Sequence, residues 1–210
     1  MIAVEIDRTL AAALPARVPE NVHLVTADFL NVDLDVLVRD EQMPLRVAGN
    51  LPYNVASPIL FRLLDAADEG RRFRDAVVML QKEVADRLLA VPGGEGYGAL
   101  AIQVQLLADV DRLFALPPGA FRPPPKVTSA LVRLRFRPAA ADVGDRAAFA
   151  RVVRGLFHQR RKTLLNALRP IVVSSAHSAD QVLERVGLNP SRRPETLTVD
   201  EMARLTRAVL

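Results

Sequence analysis

Asn50-Leu51-Pro52-Tyr53-Asn54 follows a short apolar run, 45–48, and the turn residue Gly49, and it precedes a helical pattern that Ser57 can cap with Pro58 at its first position. The five residues are therefore predicted to sit where a strand ends and a helix begins. In an open α/β sheet that edge, outside the carboxyl ends of the strands, is where ligands bind. Pro52 keeps Leu51 out of the helical region, so the Leu51 carbonyl points in a fixed direction. The Asn50 side-chain oxygen and that carbonyl can accept the two hydrogens of an exocyclic amine, while Tyr53 stacks on the ring that carries it. Such a set suits a planar aminated base. Taken alone, the same residues also make an ordinary turn, because Asn, Pro and Gly favour turns for local reasons; the neighbouring segments decide between the two.

Upstream, 1–6 reads as a strand ending at Glu5-Ile6-Asp7, with a helix after it that Pro15 closes. A second strand, 22–26, ends at Ala27-Asp28-Phe29. Both strands deliver an acid to the same edge of a parallel sheet. In a dinucleotide-type fold an acid at such a strand end binds ribose hydroxyls. Glu5 fits that role, and Asp28 beside Phe29 suits the amine of an adenine ring. The alternative is a pair of solvated loop carboxylates.

Downstream, 57–68 carries apolar residues at 59, 60, 63, 64 and 67, a helical face. A strand over 76–80, a helix over 82–90 and a helix over 99–108 follow. The glycines of 92–98 do not have dinucleotide spacing, so this segment is expected to be a mobile loop near substrate and not a phosphate cradle. Val132, Leu134 and Phe136 alternate with Arg133, Arg135 and Arg137, which predicts a half-buried strand with a basic outer face. Just before it, Phe121-Arg122-Pro123-Pro124-Pro125-Lys126 offers a Phe pinned by three prolines beside a cation. It is a rigid stacking platform with a phosphate contact, or else Phe121 is simply core.

Charge divides the chain. Residues 1–145 carry 16 Lys/Arg and 19 Asp/Glu, whereas 146–210 carry 12 and 5. Within 151–169 there are six Lys/Arg and no acid, including Arg160-Arg161-Lys162. Such a run is often a solvated helix face, but the absence of acids argues for an anionic partner. Three regions are expected: an α/β catalytic domain over 1–138, a linker over 139–148, and a helical RNA-docking domain over 149–210, in which only 171–173 carries a strand signal. With no cysteine there is no thiolate nucleophile and no Cys-based metal site, which excludes cytosine C5 methylation through a cysteine adduct. No metal is called for. No membrane span or secretory leader is indicated, so the expected location is the cytoplasm.

Together these segments resemble the ribosomal RNA adenine dimethyltransferase family of the KsgA type. The resemblance is carried by Val4-Glu5-Ile6-Asp7, Asp28-Phe29, Asn50-Leu51-Pro52-Tyr53-Asn54, Gln81-Lys82-Glu83-Val84-Ala85, Tyr97-Gly98, Phe121 to Ser129, Arg160-Arg161-Lys162-Thr163-Leu164 with Asn166, and Pro194-Glu195 with Leu197. It implies a Rossmann-like methyltransferase domain with a small all-α C-terminal domain, and S-adenosylmethionine as cofactor. By the resemblance, Glu5 with Ile6 holds the cofactor's ribose and Asp28 with Phe29 its adenine. Asn50, with Leu51 and Pro52, lies between cofactor and substrate. Tyr53 and Phe121 hold a flipped adenine, while Lys126 and the Arg160-Arg161-Lys162 cluster contact RNA.

The reaction implied is the transfer of two methyl groups to N6 of each of two adjacent adenosines near the 3′ end of 16S rRNA, on the immature 30S subunit, by a monomer. Two other readings stand beside it: an enzyme acting on large-subunit rRNA, which shares the motif, and a noncatalytic RNA-binding assembly factor that lost the cofactor. In the family a first strand and a glycine-rich loop precede the Val-Glu-Ile-Asp segment. Here the chain starts at Met1, so a fragment, a misassigned start codon or a truncated paralogue is expected, with that strand missing between 1–6 and 45–48 and the cofactor held weakly or not at all.

Overall fold

Asp7, the acid just past the first strand, starts the first helix: its Oδ1 accepts the backbone N–H groups of Thr9 and Leu10 at 2.7 and 3.0 Å. This local cap sets the opening of the computed structural model, which describes residues 1–70, 72–173 and 177–210. Strand β1 (Ile2–Glu5) leads through α1 (Arg8–Ala13) to β2 (His23–Thr26). The two strands are parallel, with Glu5 opposite Thr26, so both expected acids emerge at one edge.

After the short α2 (Leu34–Leu37) come β3 (Leu45–Asn50), α3 (Ala56–Gly70) and β4 (Phe73–Gln81), with β3 parallel to β4 and Asn50 opposite Met79. Strand β4 runs directly into α4 (Lys82–Leu89). Helix α5 (Ala99–Leu107) runs into β5 (Ala108–Leu116), and β6 (Ser129–Phe136) lies antiparallel between β4 and β5. The second sheet therefore has the order β3-β4-β6-β5, while β1 and β2 form a separate pair. Strands β1 and β3 each pair on one side only, and both line the same cleft.

The face of α3 foreseen from its spacing is the buried one: Ile59, Leu60, Leu63, Leu64 and Ala67 are all in the core. Burying each leucine contributes about 1.5–3 kcal/mol. This core is continuous with the C-terminal helices α6 (Arg146–His158), α7 (Leu164–Leu168), α8 (Ala179–Val186) and α9 (Val199–Val209), through Val153, Leu156, Leu164, Leu183 and Leu205. Helices α8 and α9 each open with a reciprocal capping box, Ser178 with Gln181 and Thr198 with Glu201. Gly187 closes α8 at φ +66°, a left-handed conformation that favours glycine. Among the described residues, no helix is long and apolar enough to cross a membrane.

Four expectations are corrected. Helix α3 begins at Ala56, so Ser57 and Pro58 lie inside its first turn instead of capping it. The chain already turns at Pro52, whose carbonyl accepts the Val55 N–H at 3.1 Å, and the N–H that Pro58 lacks is one of those left without an intrahelical partner at any helix start. Residues 171–173 form no strand: Ile171 and Val172 both donate to the Leu168 carbonyl, closing α7, and among the described residues no neighbouring strand offers a ladder.

The basic outer face of β6 is neutralised by β5, a strand not foreseen: Arg133 and Arg135 bond Asp111 at 3.0 and 2.6 Å, and Arg137 bonds Asp109 at 2.8 Å. Last, 92–98 is pinned instead of mobile. Tyr97 is 2% exposed, donates its hydroxyl to the Leu197 carbonyl at 2.9 Å and meets the Phe157 ring edge-on at 6.4 Å. Gly93 donates its N–H to the Glu195 carbonyl at 2.7 Å. The glycines serve the turn, with Gly93 and Gly96 both at φ +78°.

Candidate active site

The edge where β1, β2 and β3 end opens on a cleft of about 640 Å³. Glu5 and Ile6 enter it from β1, Asp28 and Phe29 from β2, and Gly49, Asn50, Leu51, Pro52 and Asn54 from the end of β3. The two acids are held in place by their own loops. Glu5 Oε1 accepts the Asp7 N–H at 2.8 Å. Asp28 Oδ1 accepts the Leu30 N–H at 2.9 Å, and its Oδ2 accepts from the Asn31 side-chain amide at 2.6 Å. A carboxylate oxygen has two lone pairs, so each acid keeps acceptor capacity for a ligand. Phe29 is half-buried against the core and Ile6 is exposed, which supplies the apolar part of the wall.

Asn50 is the last residue of β3 and is exposed; among the described residues its side-chain amide has no hydrogen-bond partner. The Leu51 N–H donates to the Met79 carbonyl at 3.2 Å, which continues the ladder one residue past the strand and holds the Asn50–Leu51 peptide just before the Leu51 carbonyl. Tyr53 does not line the cleft. The turn sends its half-buried ring to the other side, where its hydroxyl and Ser129 Oγ are 2.7 Å apart. The motif thus has two sides, Asn50 on the cleft and Tyr53 toward the start of β6.

Phe121 follows a short 3₁₀ turn, Pro118–Ala120, and is half-buried but outside the buried core, so the core alternative does not hold. Lys126 is exposed five residues later. The structure does not bring these two into the cleft that holds Glu5, Asp28 and Asn50. On the helical part, Arg161 and Lys162 are exposed just past the end of α6, while Arg160 lies 3.4 Å from a Glu195 carboxylate oxygen. The run without acids in sequence therefore meets one in space.

The electrostatics of the cleft favour a cationic ligand. Glu5, Asp28 and Glu41 line it, and its one lining arginine, Arg46, is turned to Asp75 at 3.1 Å. A sulfonium centre suits that balance, as paired acceptors at strand ends suit a nucleoside's hydroxyls and amine, so the residues present fit S-adenosylmethionine. Sequence reasoning assigned no role to Ser129 or Tyr97. Ser129 is wholly buried at the first position of β6, and only its place beside a proline-rich loop marked it. Tyr97 stands among glycines that concealed its burial.

A parallel strand-helix-strand run with acids at successive strand ends, an Asn-Leu-Pro-Tyr turn at the next, and a helical C-terminal part make up a Rossmann-like methyltransferase fold. Solved structures share it. A dimethyladenosine transferase from Plasmodium falciparum superimposes with a TM-score of 0.76 at 22% identity, covering 97% of this chain and 79% of that one. The 23S rRNA methyltransferase ErmE gives 0.61 at 22% identity, covering 99% and 81%.

The chain belongs to the ribosomal RNA adenine dimethylase family, whose sequence model matches residues 1–208. The ribosomal RNA small subunit methyltransferase A of Acinetobacter baylyi is 44% identical over 98% of this chain and 73% of its own length. The protein of the same name from Xanthomonas oryzae pv. oryzae is 46% identical over 98% and 75%. The family's cofactor is S-adenosylmethionine.

Proposed function

We propose that this chain methylates N6 of two adjacent adenosines near the 3′ end of small-subunit rRNA, twice each, with the immature 30S subunit as substrate, acting as a cytoplasmic monomer. The observation that carries the reading is the exposed, unpartnered Asn50 amide at the end of β3, on the rim of a cleft that Glu5 and Asp28 line from β1 and β2.

S-adenosylmethionine supplies the activated methyl. Glu5 accepts from the ribose hydroxyls, Asp28 accepts from the adenine amine, and Phe29 and Ile6 cover the apolar faces of the nucleoside. On the other side of the turn, Tyr53 stacks on the target adenine with Phe121 closing over it. An adenine amine is a poor nucleophile because its lone pair is delocalised into the ring. In the first transfer, accepting both its hydrogens, at the Asn50 side chain and the Leu51 carbonyl, favours a pyramidal nitrogen and directs the lone pair into the cleft; in the second, the one remaining hydrogen is held by one of the two acceptors. No strong base is needed, because the nitrogen becomes cationic and strongly acidic on transfer and then gives its proton to water. Taking the base out of its stack costs a few kcal/mol, which aromatic stacking offsets.

Residues 1–138 serve as the catalytic part and 149–210 as the RNA-docking part, with 139–148 between them. Arg161 and Lys162, with Lys126 beside Phe121, supply the phosphate contacts, and Arg160 shares its charge with Glu195. The experiment is transfer of a labelled methyl group to purified small subunits that lack the modification, with large subunits and free rRNA as parallel substrates. Labelling of adjacent adenosines in the small subunit is the expected result. Labelling of the large subunit alone, or RNA binding with no transfer to any substrate, overturns it.

A further inference from the structure

Ser129 is 0% exposed, so water does not reach its hydroxyl, and among the described residues its side-chain partner is the Tyr53 hydroxyl at 2.7 Å. A buried hydroxyl is held to its partner strongly, because no solvent replaces the bond when it breaks. The position of Ser129 is itself fixed from both sides. It stands opposite Gln81 of β4 and Leu116 of β5 at once, and the carbonyl of the preceding Thr128 accepts the Lys82 N–H at 2.9 Å. Tyr53, by contrast, is half-buried in the turn between β3 and α3.

We propose that Ser129 is a positioning residue for methyl transfer: through its hydrogen bond it holds the Tyr53 ring in the orientation that receives the target base. The inference rests on the function proposed above. It also ties the two aromatic residues of that reading together, because Ser129 ends the same segment that carries Phe121 and Lys126. The Tyr53 turn and the Phe121 segment thus share one anchor at the start of β6, and the pair is registered to the sheet before any RNA arrives. Loss of the bond removes neither ring but lets that of Tyr53 swing.

The test is a double-mutant cycle on the full chain, with Ser129→Ala, Tyr53→Phe and the two combined, each checked for folding by thermal unfolding. Each single variant removes one hydroxyl and leaves the ring, and Tyr53→Phe approaches the bond from the exposed side should Ser129→Ala disturb the core. Each is expected to lower kcat by about 3- to 10-fold, the rate equivalent of one hydrogen bond, with the KM for the ribosomal substrate nearly unchanged. The combined variant is expected to be no slower than either alone.

A second readout needs no activity. The chain has two tyrosines and no tryptophan, so in a Tyr97→Phe background Tyr53 is the only ring to report by time-resolved emission anisotropy. Adding Ser129→Ala is expected to speed the local depolarisation. Defects that multiply in the combined variant, or an anisotropy decay indifferent to Ser129→Ala, overturn the proposal. An inactive wild-type chain would count against the methyltransferase reading, and the anisotropy would still judge the Tyr53 anchor.

Discussion

Replacing Asn50 by Ala separates chemistry from folding. The side-chain amide is exposed and has no partner among the described residues, so its removal leaves no buried group unsatisfied. The backbone pairing of Asn50 with Met79 and the Leu51 N–H bond to the Met79 carbonyl do not involve that side chain. Stability is therefore expected to change by no more than about 0.5 kcal/mol. The rate is a different matter. An acceptor aimed at a nitrogen whose charge rises during transfer acts on the transition state, and loss of one such group typically lowers kcat by about 10²- to 10³-fold, about 2.7–4 kcal/mol. Single-turnover transfer of a labelled methyl group at saturating rRNA and cofactor measures this, with RNA affinity and thermal unfolding recorded on the same preparation. A normally folded Asn50→Ala protein that methylates within about threefold of wild type would refute the role given to the amide.

Three further outcomes are expected. Glu5→Ala should weaken S-adenosylmethionine binding by roughly 10- to 150-fold in calorimetric titration, the range for hydrogen bonds to a charged acceptor; unaltered affinity would remove Glu5 from the ribose site. Arg161→Ala with Lys162→Ala should reduce the log–log salt slope of RNA binding by about 0.7–0.9 for each phosphate no longer neutralised, and Arg160→Ala by less, because Glu195 already faces it. A slope that does not move would make this a solvated face. Burial, with the nearby Glu201 charge, pushes the Tyr97 hydroxyl from the ordinary 10 up to about 12. The folded state thus holds its proton more tightly than the unfolded one. The stability from this group is whole below pH 10 and is lost as pH rises from 10 through 12. Denaturant titrations across that window should show a decline that Tyr97→Phe makes shallower; an identical decline in the variant would contradict the assignment.

Period and punctuation made the strand-turn-helix units readable in advance. The apolar spacing of 59, 60, 63, 64 and 67 is the buried face of α3, and the two acids following short strands do converge on one cleft. What escaped depends on partners distant in the chain. Strand β5 carries Asp109, Asp111 and Arg112 and looks unlike a strand until β6 supplies Arg133, Arg135 and Arg137 across from it. The β-branched run 171–173 has local propensity for a strand but no ladder to join. Glycines in 92–98 suggested mobility, whereas they let the chain fold around a tyrosine bonded a hundred positions away. Ser129 was equally hidden, since nothing local says that a serine at a strand start will meet the hydroxyl of Tyr53.

Glu195 joins the two parts of the chain through both its backbone and its side chain. Its carbonyl accepts from Gly93 in the sheet-bearing part, while its carboxylate faces Arg160 beside the exposed cations. With Tyr97 bonded to Leu197 two residues on, the helical part is clamped to the sheet and does not swing on a tether. A clamp of this kind works as a jig. On the function proposed above, the offset between the RNA contacts and the turn that receives the base is machined in when the chain folds, and the substrate must bring its own adenosines to that offset. On that reading selection among adenosines is a matter of reach, favouring those that stand at the set displacement from the backbone the cations hold.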